Sequence, residues 1–246
     1  MRLDLYLVEK GFVKSRSQAS DLIKRSLIEV NGVIQTKAGF DVIDPSIKML
    51  EEQRFVSRAG EKLMGALLDF DITLRGKIMV DIGSSTGGFT DCALQEGIAK
   101  VYAYDVGSDQ MDENLKKDHR IELHESTNIL DVVIPLCDII TIDVSFTSVL
   151  PILSHLKGFQ GEMVVLIKPQ FEAGPIHFKQ GVLKDIKLHE KILTHVLEET
   201  RTLGFSIKGL KKSSLKGKMG NQEYVMYIKH QPNLEHIPSL VRGVLC

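Results

Sequence analysis

Apolar side chains in the first fifty residues follow two different spacings. Residues 3–8 and a stripe at residues 19–23 predict two helices, and a serine within residues 15–17 would cap the second helix. Apolar runs on either side of Asn31-Gly32 predict a β-hairpin, because this dipeptide favours a tight two-residue turn. The pattern therefore predicts a small α+β domain over residues 1–50.

Beyond residue 77, short apolar runs alternate with helical segments. This alternation predicts a sheet of parallel strands joined by crossover helices. The predicted strands cover residues 78–82, residues 101–104, a short run before Glu125, and residues 138–142, 163–167 and 225–228. We expect a linker over residues 51–58, a large α/β domain over residues 59–230, and a tail without a strong pattern over residues 231–246.

Two further helices are predicted from apolar stripes. The first opens at residues 57–63, and Lys62 stands beside its apolar side, where a lone lysine usually extends its charge to the surface. The second covers residues 188–203 and ends before Gly204. His195 falls on the apolar spacing of this helix, so we expect a packed core histidine rather than a catalyst.

Composition restricts the class of protein. The chain has 246 residues, of which 43% are hydrophobic and 26% charged, as in an ordinary globular protein. The best candidate for a membrane-length apolar run, residues 132–153, is interrupted by Asp138 and Asp143. The N-terminus carries Asp4 and Glu9 without the apolar core region of a signal peptide. Three widely spaced cysteines form no ligand pair or disulfide framework. We expect a cytoplasmic monomer that binds no metal.

Residues 79–91 contain the strongest candidate for a ligand site. Apolar residues lead to Asp81, a glycine-rich turn follows, and the next residues can begin a helix, as in α/β sheets that hold an adenosine-containing cofactor. A dinucleotide motif needs glycine at Ser85, and a Walker motif needs lysine at Phe89. Residues 83–87 also match the G-x-S-x-G turn of serine hydrolases, but no histidine precedes them to supply the usual oxyanion motif.

The remaining hypothesis is an S-adenosylmethionine pocket of the form D-x-G-x-x-x-G, with a plain strand-to-helix turn as the alternative. Asp81 would lie near the methionine end, and Asp105 would accept hydrogen bonds from both ribose hydroxyls unless it is a turn or cap residue. Asn128 would meet the adenine edge. The candidate cofactor-binding residues are Asp81, Gly83, Ser84, Ser85, Gly87, Gly88, Phe89, Asp105, Val106, Asn128 and Asp143.

Basic residues cluster locally, although the net charge of the chain is −1. Near the N-terminus, four of them within residues 14–25 are opposed only by Asp21, a pattern that a solvated helix face also produces. Farther along, residues 207–218 carry five lysines and no acid, and residues 217–220 predict a mobile loop over the cofactor edge.

The N-terminal domain resembles the ribosomal S-four-type RNA-binding domain. The resemblance rests on the order of its elements and on residues 2–4, 15–19, 22–23 and 30–32. It implies that basic side chains contact RNA phosphates, which position the protein without reading sequence. The candidate RNA-binding residues are Arg2, Lys14, Arg16, Gln18, Lys24, Arg25 and Arg58.

Four charged residues adjoin one edge of the predicted sheet, namely Lys62, Asp143, Lys168 and Glu223. In order and in local sequence they match the Lys-Asp-Lys-Glu tetrad of the FtsJ-like RNA 2′-O-methyltransferases. The phrases around them strengthen the match, and the chain resembles the TlyA (haemolysin A) family over nearly all of residues 1–230. These phrases are residues 85–91, 142–146, 168–172 and 220–223.

This resemblance implies a Rossmann-like class I methyltransferase sheet behind a small α+β RNA-binding domain. It implies an enzyme that uses S-adenosylmethionine to methylate the 2′-hydroxyl of a ribose, a cytidine, in ribosomal RNA or a ribosomal subunit. Lys62, Asp143, Lys168 and Glu223 would be catalytic. Lys168 is the candidate base, and the alternative is that it stays charged and, with Lys62, orients the hydroxyl and phosphate.

Two departures from the family pattern are visible. Glu-Ser-Thr precedes Asn128 in place of Glu-Arg-Thr, and the N-terminus is short, as in the subtype associated with large-subunit ribosomal RNA. The alternative functions are a non-catalytic ribosome-assembly factor and the membrane lysis suggested by the family's name. The converging lysines and acids favour an enzyme, and the sequence offers no spanning segment or export signal for lysis.

Overall fold

A computed structural model describes residues 1–13, 15–50, 54–173, 182–217, 219–229 and 235–245. The chain divides into two compact units, Met1–Arg54 and Phe55–Cys246. Several residues of the predicted features lie outside the described residues. They are Lys14 of the RNA-binding candidates, residues 51–53 of the linker, Lys218 of the lysine run, and residues 231–234 and 246 of the tail.

The first unit contains two helices and a three-stranded sheet. Its elements are α1 (Leu3–Glu9), α2 (Arg16–Lys24), β1 (Ile28–Val30), β2 (Val33–Gln35) and β3 (Ile47–Met49). Ser15 caps α2, because its side chain accepts a hydrogen bond from the Gln18 amide. Asn31 and Gly32 both have positive φ, which closes the hairpin between β1 and β2 as the dipeptide predicts. The strand β3, which pairs with β1 on its other side, was not predicted.

The second unit contains a seven-stranded sheet. Its strands are β4 (Ile78–Ile82), β5 (Lys100–Tyr104), β6 (Ile121–His124), β7 (Ile139–Ile142), β8 (Glu162–Ile167), β9 (Ile207–Lys212) and β10 (Tyr224–Lys229). The strand order is β6-β5-β4-β7-β8-β10-β9. Strands β4 to β8 pair in parallel, as the alternation of elements predicts. The last strand, β10, is antiparallel to both neighbours, so the prediction of a parallel sheet is wrong there.

Helices cover both faces of this sheet. They are α3 (Arg58–Asp69), α4 (Gly88–Gln95), α5 (Leu150–His155), α6 (Pro169–Glu172), α7 (Ile186–Thr202) and α8 (Ile237–Leu245). Alternate residues of β10 belong to two separate apolar clusters, Met226 to one and Val225 to the other. Burial on both faces explains why the parallel strands read as continuous apolar runs. None of the described helices is long and apolar enough to cross a membrane.

The helix α7 shows where helical periodicity misled the prediction. Asp185 caps it by accepting hydrogen bonds from the first-turn amides. His195 is exposed, so the predicted packed core histidine is wrong. The buried stripe instead includes His189, whose Nδ1 lies 2.8 Å from the Tyr224 hydroxyl and whose Nε2 lies 3.0 Å from the Leu183 carbonyl.

The antiparallel direction of β10 positions the candidate site. Its first residue, Tyr224, pairs with Ile167 at the end of β8 and with Lys212 at the end of β9. Glu223 therefore lies at the carboxyl edge of the sheet beside Lys168. In a doubly wound sheet this edge is where ligands bind.

Candidate active site

Two buried ion pairs occupy the carboxyl edge of the sheet. Lys62, from α3, places Nζ 2.5 Å from Oε2 of Glu223. Lys168, directly after β8, places Nζ 2.6 Å from Oδ1 of Asp143, directly after β7. Lys62, Lys168 and Glu223 are each less than 9% exposed, so the surface position that a lone Lys62 would suggest is not the one observed. The structure thus brings the four predicted residues together as two pairs.

Each buried ammonium needs a compensating charge because desolvation of a charged group is costly. Lys168 has three N–H donors, and one of them donates to the Ser145 hydroxyl at 2.9 Å. Nζ also lies 2.6 Å from Oδ1 of Asp143, but this is an ion contact without hydrogen-bond geometry, and that oxygen accepts no hydrogen bond from a described group. At least one N–H donor of Lys168 therefore remains for a substrate oxygen.

A short segment after β8 holds the loop that follows β7. Glu172 accepts hydrogen bonds from the Ser148 hydroxyl at 2.6 Å and from the Val149 amide at 2.9 Å. Burial raises the pKa of Glu172 above its ordinary value, while these hydrogen bonds oppose that rise. Glu172 thus holds the C-terminal end of the loop by hydrogen bonds, and Lys168 holds the N-terminal end by its hydrogen bond to Ser145.

The same loop presents an aromatic side chain to solvent. Phe146 is 83% exposed and has a φ of +65°, a conformation that bulky residues rarely adopt. Its ring packs against that of Phe171, with 5.1 Å between the ring centroids. Sequence reasoning assigned no role to Ser145, Phe146 or Glu172, although the phrases 142–146 and 168–172 contain them.

Two adjoining cavities open at this edge. The larger has a volume of about 610 Å³ and is lined by Asp105, Val106 and Asn128, among others. The smaller, of about 150 Å³, reaches Ser84 and Lys168. Both are lined by Gly83, Ser85, Asp143 and Ser145, so the two form one elongated site. The larger volume lies in the range of small-molecule sites.

The polar groups around these cavities suit S-adenosylmethionine. The Ser84 hydroxyl is buried and accepts or donates no hydrogen bond among the described residues. A polar group at the methionine end of a cofactor would satisfy it, because buried hydroxyls are rarely left unpaired. Asp105 accepts from the Ser85 and Gly107 amides, both at 2.7 Å, and each carboxylate oxygen keeps a lone pair for a ribose hydroxyl.

Asn128 and Val106 both line the larger cavity. Asn128 also caps the short helical turn Ile129–Asp131, since its Oδ1 accepts from the Leu130 amide at 3.1 Å. Its side-chain NH₂ group is the part left to meet an adenine edge.

Asp81 differs from the prediction. It is fully buried and lines neither of the two cavities. Its Oδ2 accepts from the Thr90 hydroxyl at 2.7 Å and its Oδ1 from the Thr141 hydroxyl at 2.8 Å. Burial raises the pKa of Asp81 to about 6, with smaller increases from the charges of Asp143 and Asp105. Asp81 ties β4 to α4 and β7 beneath the turn.

At two positions of the turn, packing against neighbouring residues leaves no room for a side chain. Gly83 has a φ of +85°, and a Cβ there would lie 2.8 Å from the Asp143 carbonyl oxygen. Gly88 lines the smaller cavity, but a Cβ there would overlap Ser57 at the start of α3. Gly87 lines neither cavity, and Phe89 is buried in the core at the margin of the smaller one.

The basic residues of the first unit are partly paired. Arg2 makes two hydrogen bonds of 3.0 Å to the buried Asp4, and Arg16 makes a third of 3.1 Å. The hydrogen bond from Arg2 is the main reason that the pKa of Asp4 is lowered to about 2. Both guanidinium groups stay about half exposed, so they can still contact a phosphate.

The other RNA-binding candidates have varied surroundings. Lys24 is exposed, and Arg25 lies 3.8 Å from Asp21 in an i,i+4 ion pair. Gln18 is partly buried on the first turn of α2, and Arg58 is the first residue of α3 in the second unit. Within the described residues, no group of three or more His, Cys, Asp or Glu side chains could hold a metal ion.

The fold and site define an α/β methyltransferase domain joined to a small RNA-binding domain. Residues 55–230 match the model of the FtsJ-like methyltransferases, and residues 1–42 match that of the S4 domain. The chain therefore belongs to the FtsJ-like methyltransferase family. The predicted fold class and enzyme class are confirmed.

Similar proteins extend over almost the whole chain. Hemolysin A of Brachyspira hyodysenteriae is 40% identical and covers 92% of this chain and 99% of its own. The 16S/23S rRNA (cytidine-2′-O)-methyltransferase TlyA of Mycobacterium tuberculosis is 34% identical, with 94% and 90% covered. The 23S rRNA (cytidine-2′-O)-methyltransferase TlyA of Campylobacter jejuni is 35% identical, with 92% and 98% covered.

A solved structure is similar as well. A protein from Streptococcus thermophilus described as a hemolysin has a TM-score of 0.78 and 35% identity, and it covers 100% of this chain and 94% of its own. The predicted resemblance to the TlyA (haemolysin A) family is confirmed by these relatives.

Proposed function

We propose that this protein transfers a methyl group from S-adenosylmethionine to the 2′-hydroxyl of a cytidine ribose in ribosomal RNA, in the large subunit in particular. The observation that carries the proposal is two buried ion pairs at the carboxyl edge of the sheet, Lys62–Glu223 and Lys168–Asp143, of which the second lines the cavities. The names of the Mycobacterium and Campylobacter relatives support the nucleotide, and both names include 23S RNA.

The cofactor supplies a methyl group bound to a positively charged sulfur. Ser84, Ser85, Asp105 and Asn128 are the side chains that we expect to hold it. Asp143 lies on the wall shared by both cavities, and Lys168 lies beside it on the smaller one. A ribose hydroxyl placed there would meet the free N–H of Lys168, so the pair can orient the hydroxyl for in-line attack.

Two roles of Lys168 are compatible with this arrangement. As a charged group it donates to the ribose oxygen and fixes its position, with Lys62 beside it. As a base it would begin the step as a neutral amine, without the charge that Asp143 now contacts, and it would become the ammonium on accepting the hydroxyl proton. A pH profile of the transfer step separates the roles, since a profile flat from neutral to alkaline pH contradicts the base.

The RNA side of the site has its own features. The exposed ring of Phe146 offers a surface on which an unstacked base can pack, as aromatic side chains do in single-stranded RNA recognition. We assign RNA binding to residues 1–50 and methyl transfer to residues 59–230. An rRNA substrate would place the protein in the cytoplasm, with ribosomal RNA or a ribosomal subunit as its partner.

The test is methyl transfer from labelled S-adenosylmethionine to naked ribosomal RNA and to assembled subunits. We expect label on a ribose 2′-oxygen, and Lys168→Ala should abolish it while leaving cofactor binding, measured by calorimetry, nearly unchanged. The matched control is Lys187→Ala, an exposed lysine on α7. Full activity in Lys168→Ala, or label on a base, would overturn the proposal.

A further inference from the structure

A cluster of positive charge surrounds the edge strand β9. Residues 200–222 contain six basic residues and no acid, although the whole chain has a net charge of −1. The six are Arg201, Lys208, Lys211, Lys212, Lys216 and Lys218. Lys211, Lys212 and Lys216 are exposed, and we call these three the basic edge.

The basic edge flanks a residue of the active site. Lys212 is the last residue of the edge strand β9 and pairs with Tyr224. The next residue, Ser213, donates its amide to the Glu223 carbonyl at 2.9 Å. After Lys216, the backbone of Gly217 passes so close to the Glu223 carboxylate that a Cβ there would overlap Oε1. Lys212 and Lys216 are therefore each one residue from a contact with Glu223.

At the opposite edge of the sheet, the basic residues form ion pairs with acidic ones. Beside β6, Glu122 pairs with Lys100 at 2.7 Å and Asp118 pairs with Arg120 at 2.7 Å. The three lysines of the basic edge make no ion pair within the part of the chain that the structure describes. Lysines alone can protect an edge strand from aggregation. That role does not require them to gather at the end of β9 that adjoins the catalytic pairs.

We propose that the basic edge binds the phosphates on either side of the target ribose, so that the RNA strand runs along the end of β9 into the site. This inference rests on the proposed function and adds a contact surface on the second unit. Lysine binds phosphate as a mobile point charge on a long stem. Such contacts position the strand and do not read its sequence.

The test compares the salt dependence of RNA binding in two triple variants. The first is Lys211→Gln, Lys212→Gln and Lys216→Gln, and the matched control is Lys157→Gln, Lys187→Gln and Lys191→Gln, which removes the same charge from exposed positions. Each lost phosphate contact lowers the slope of log K against log salt by about 0.7–0.9. From 50 to 200 mM salt, the wild type should therefore lose about 20–40-fold more affinity than the basic-edge variant. The control should behave as the wild type does.

Several outcomes of this experiment test whether the basic edge binds RNA phosphates. An unchanged slope in the basic-edge variant overturns the inference. The proposed function fails on separate readouts, namely no methyl transfer by the wild type, label on a base, or full activity in Lys168→Ala. If the slope changes with assembled subunits but not with protein-free RNA, the surface binds a ribosomal protein, and the inference is wrong. Cofactor affinity equal to the wild type shows that the variants fold, and single variants at Lys212 and Lys216 provide the same slope test if the triple variant does not.

Discussion

Replacing Glu223 by Gln tests the buried pair directly. The change keeps the shape of the side chain and removes its charge, so the Lys62 ammonium, 8% exposed, loses its compensating partner. Removing one member of a buried ion pair costs about 3–5 kcal/mol. Deprotonating an ordinary lysine at pH 7 costs about 4–5 kcal/mol, which sets an upper limit of similar size.

The loss can be measured by thermal unfolding. For a unit of this size, each kcal/mol lowers the Tm by about 2–4 °C, so Glu223→Gln should lower it by about 6–20 °C. Adding Lys62→Met should restore part of this stability, because it removes the buried charge that Glu223→Gln leaves without a partner. Methyl transfer should be lost in both variants, since the proposed function assigns both charges to the handling of the substrate.

Two results would refute this reasoning. A Tm within 2 °C of the wild type in Glu223→Gln would show that Lys62 is not held by a buried charge. A double variant no more stable than the single one would show that the two side chains are not coupled. Recovery of both stability and activity would make the pair structural rather than catalytic.

Three further perturbations have expected outcomes. Asp81 has a raised pKa of about 6, so the unfolded chain releases this proton at a lower pH than the folded protein does. Between about pH 3 and pH 7 the free energy of unfolding of the wild type should therefore fall by about 3 kcal/mol relative to that of Asp81→Asn, with about 2 kcal/mol of the fall between about pH 4 and pH 6. Urea unfolding of both proteins at each pH checks this, and a constant difference contradicts it. Ser84→Ala removes a buried hydroxyl that has no hydrogen-bond partner among the described residues, so the free energy of unfolding of the ligand-free protein should stay the same or rise by about 1 kcal/mol, while cofactor affinity falls. Thermal melting measures the stability and calorimetry the affinity, and an unchanged affinity argues against a contact between Ser84 and the cofactor. Glu172→Ala should speed hydrogen exchange of the Val149 amide by about 10–100-fold, because a hydrogen bond to a charged acceptor contributes about 1.5–3 kcal/mol. NMR measures this exchange rate, and an unchanged rate would mean that Glu172 does not hold the loop.

Local sequence determined much of the fold. Ser15 caps α2 and Asn31-Gly32 closes the first hairpin, because caps and tight turns depend on neighbouring backbone groups. The strands β4, β5, β7 and β8 follow apolar runs long enough to be recognised without any tertiary contact. The turn after β4 was recognised for the same reason, since positive φ at Gly83 is a local requirement.

Tertiary structure decided how these elements combine. The hydrogen-bonded pair Lys62–Glu223 joins residues 161 positions apart, and the order of charged residues in the chain does not say which lysine meets which acid. That choice follows from β10 entering antiparallel between β8 and β9, which turns Glu223 to the carboxyl edge. The sequence predicts Asp81 as a cofactor-binding residue, yet its buried carboxylate accepts hydrogen bonds from the hydroxyls of Thr90 and Thr141. Burial and partners are properties of packing between distant segments, and for that reason the motif could be recognised from sequence while the contacts of its members could not.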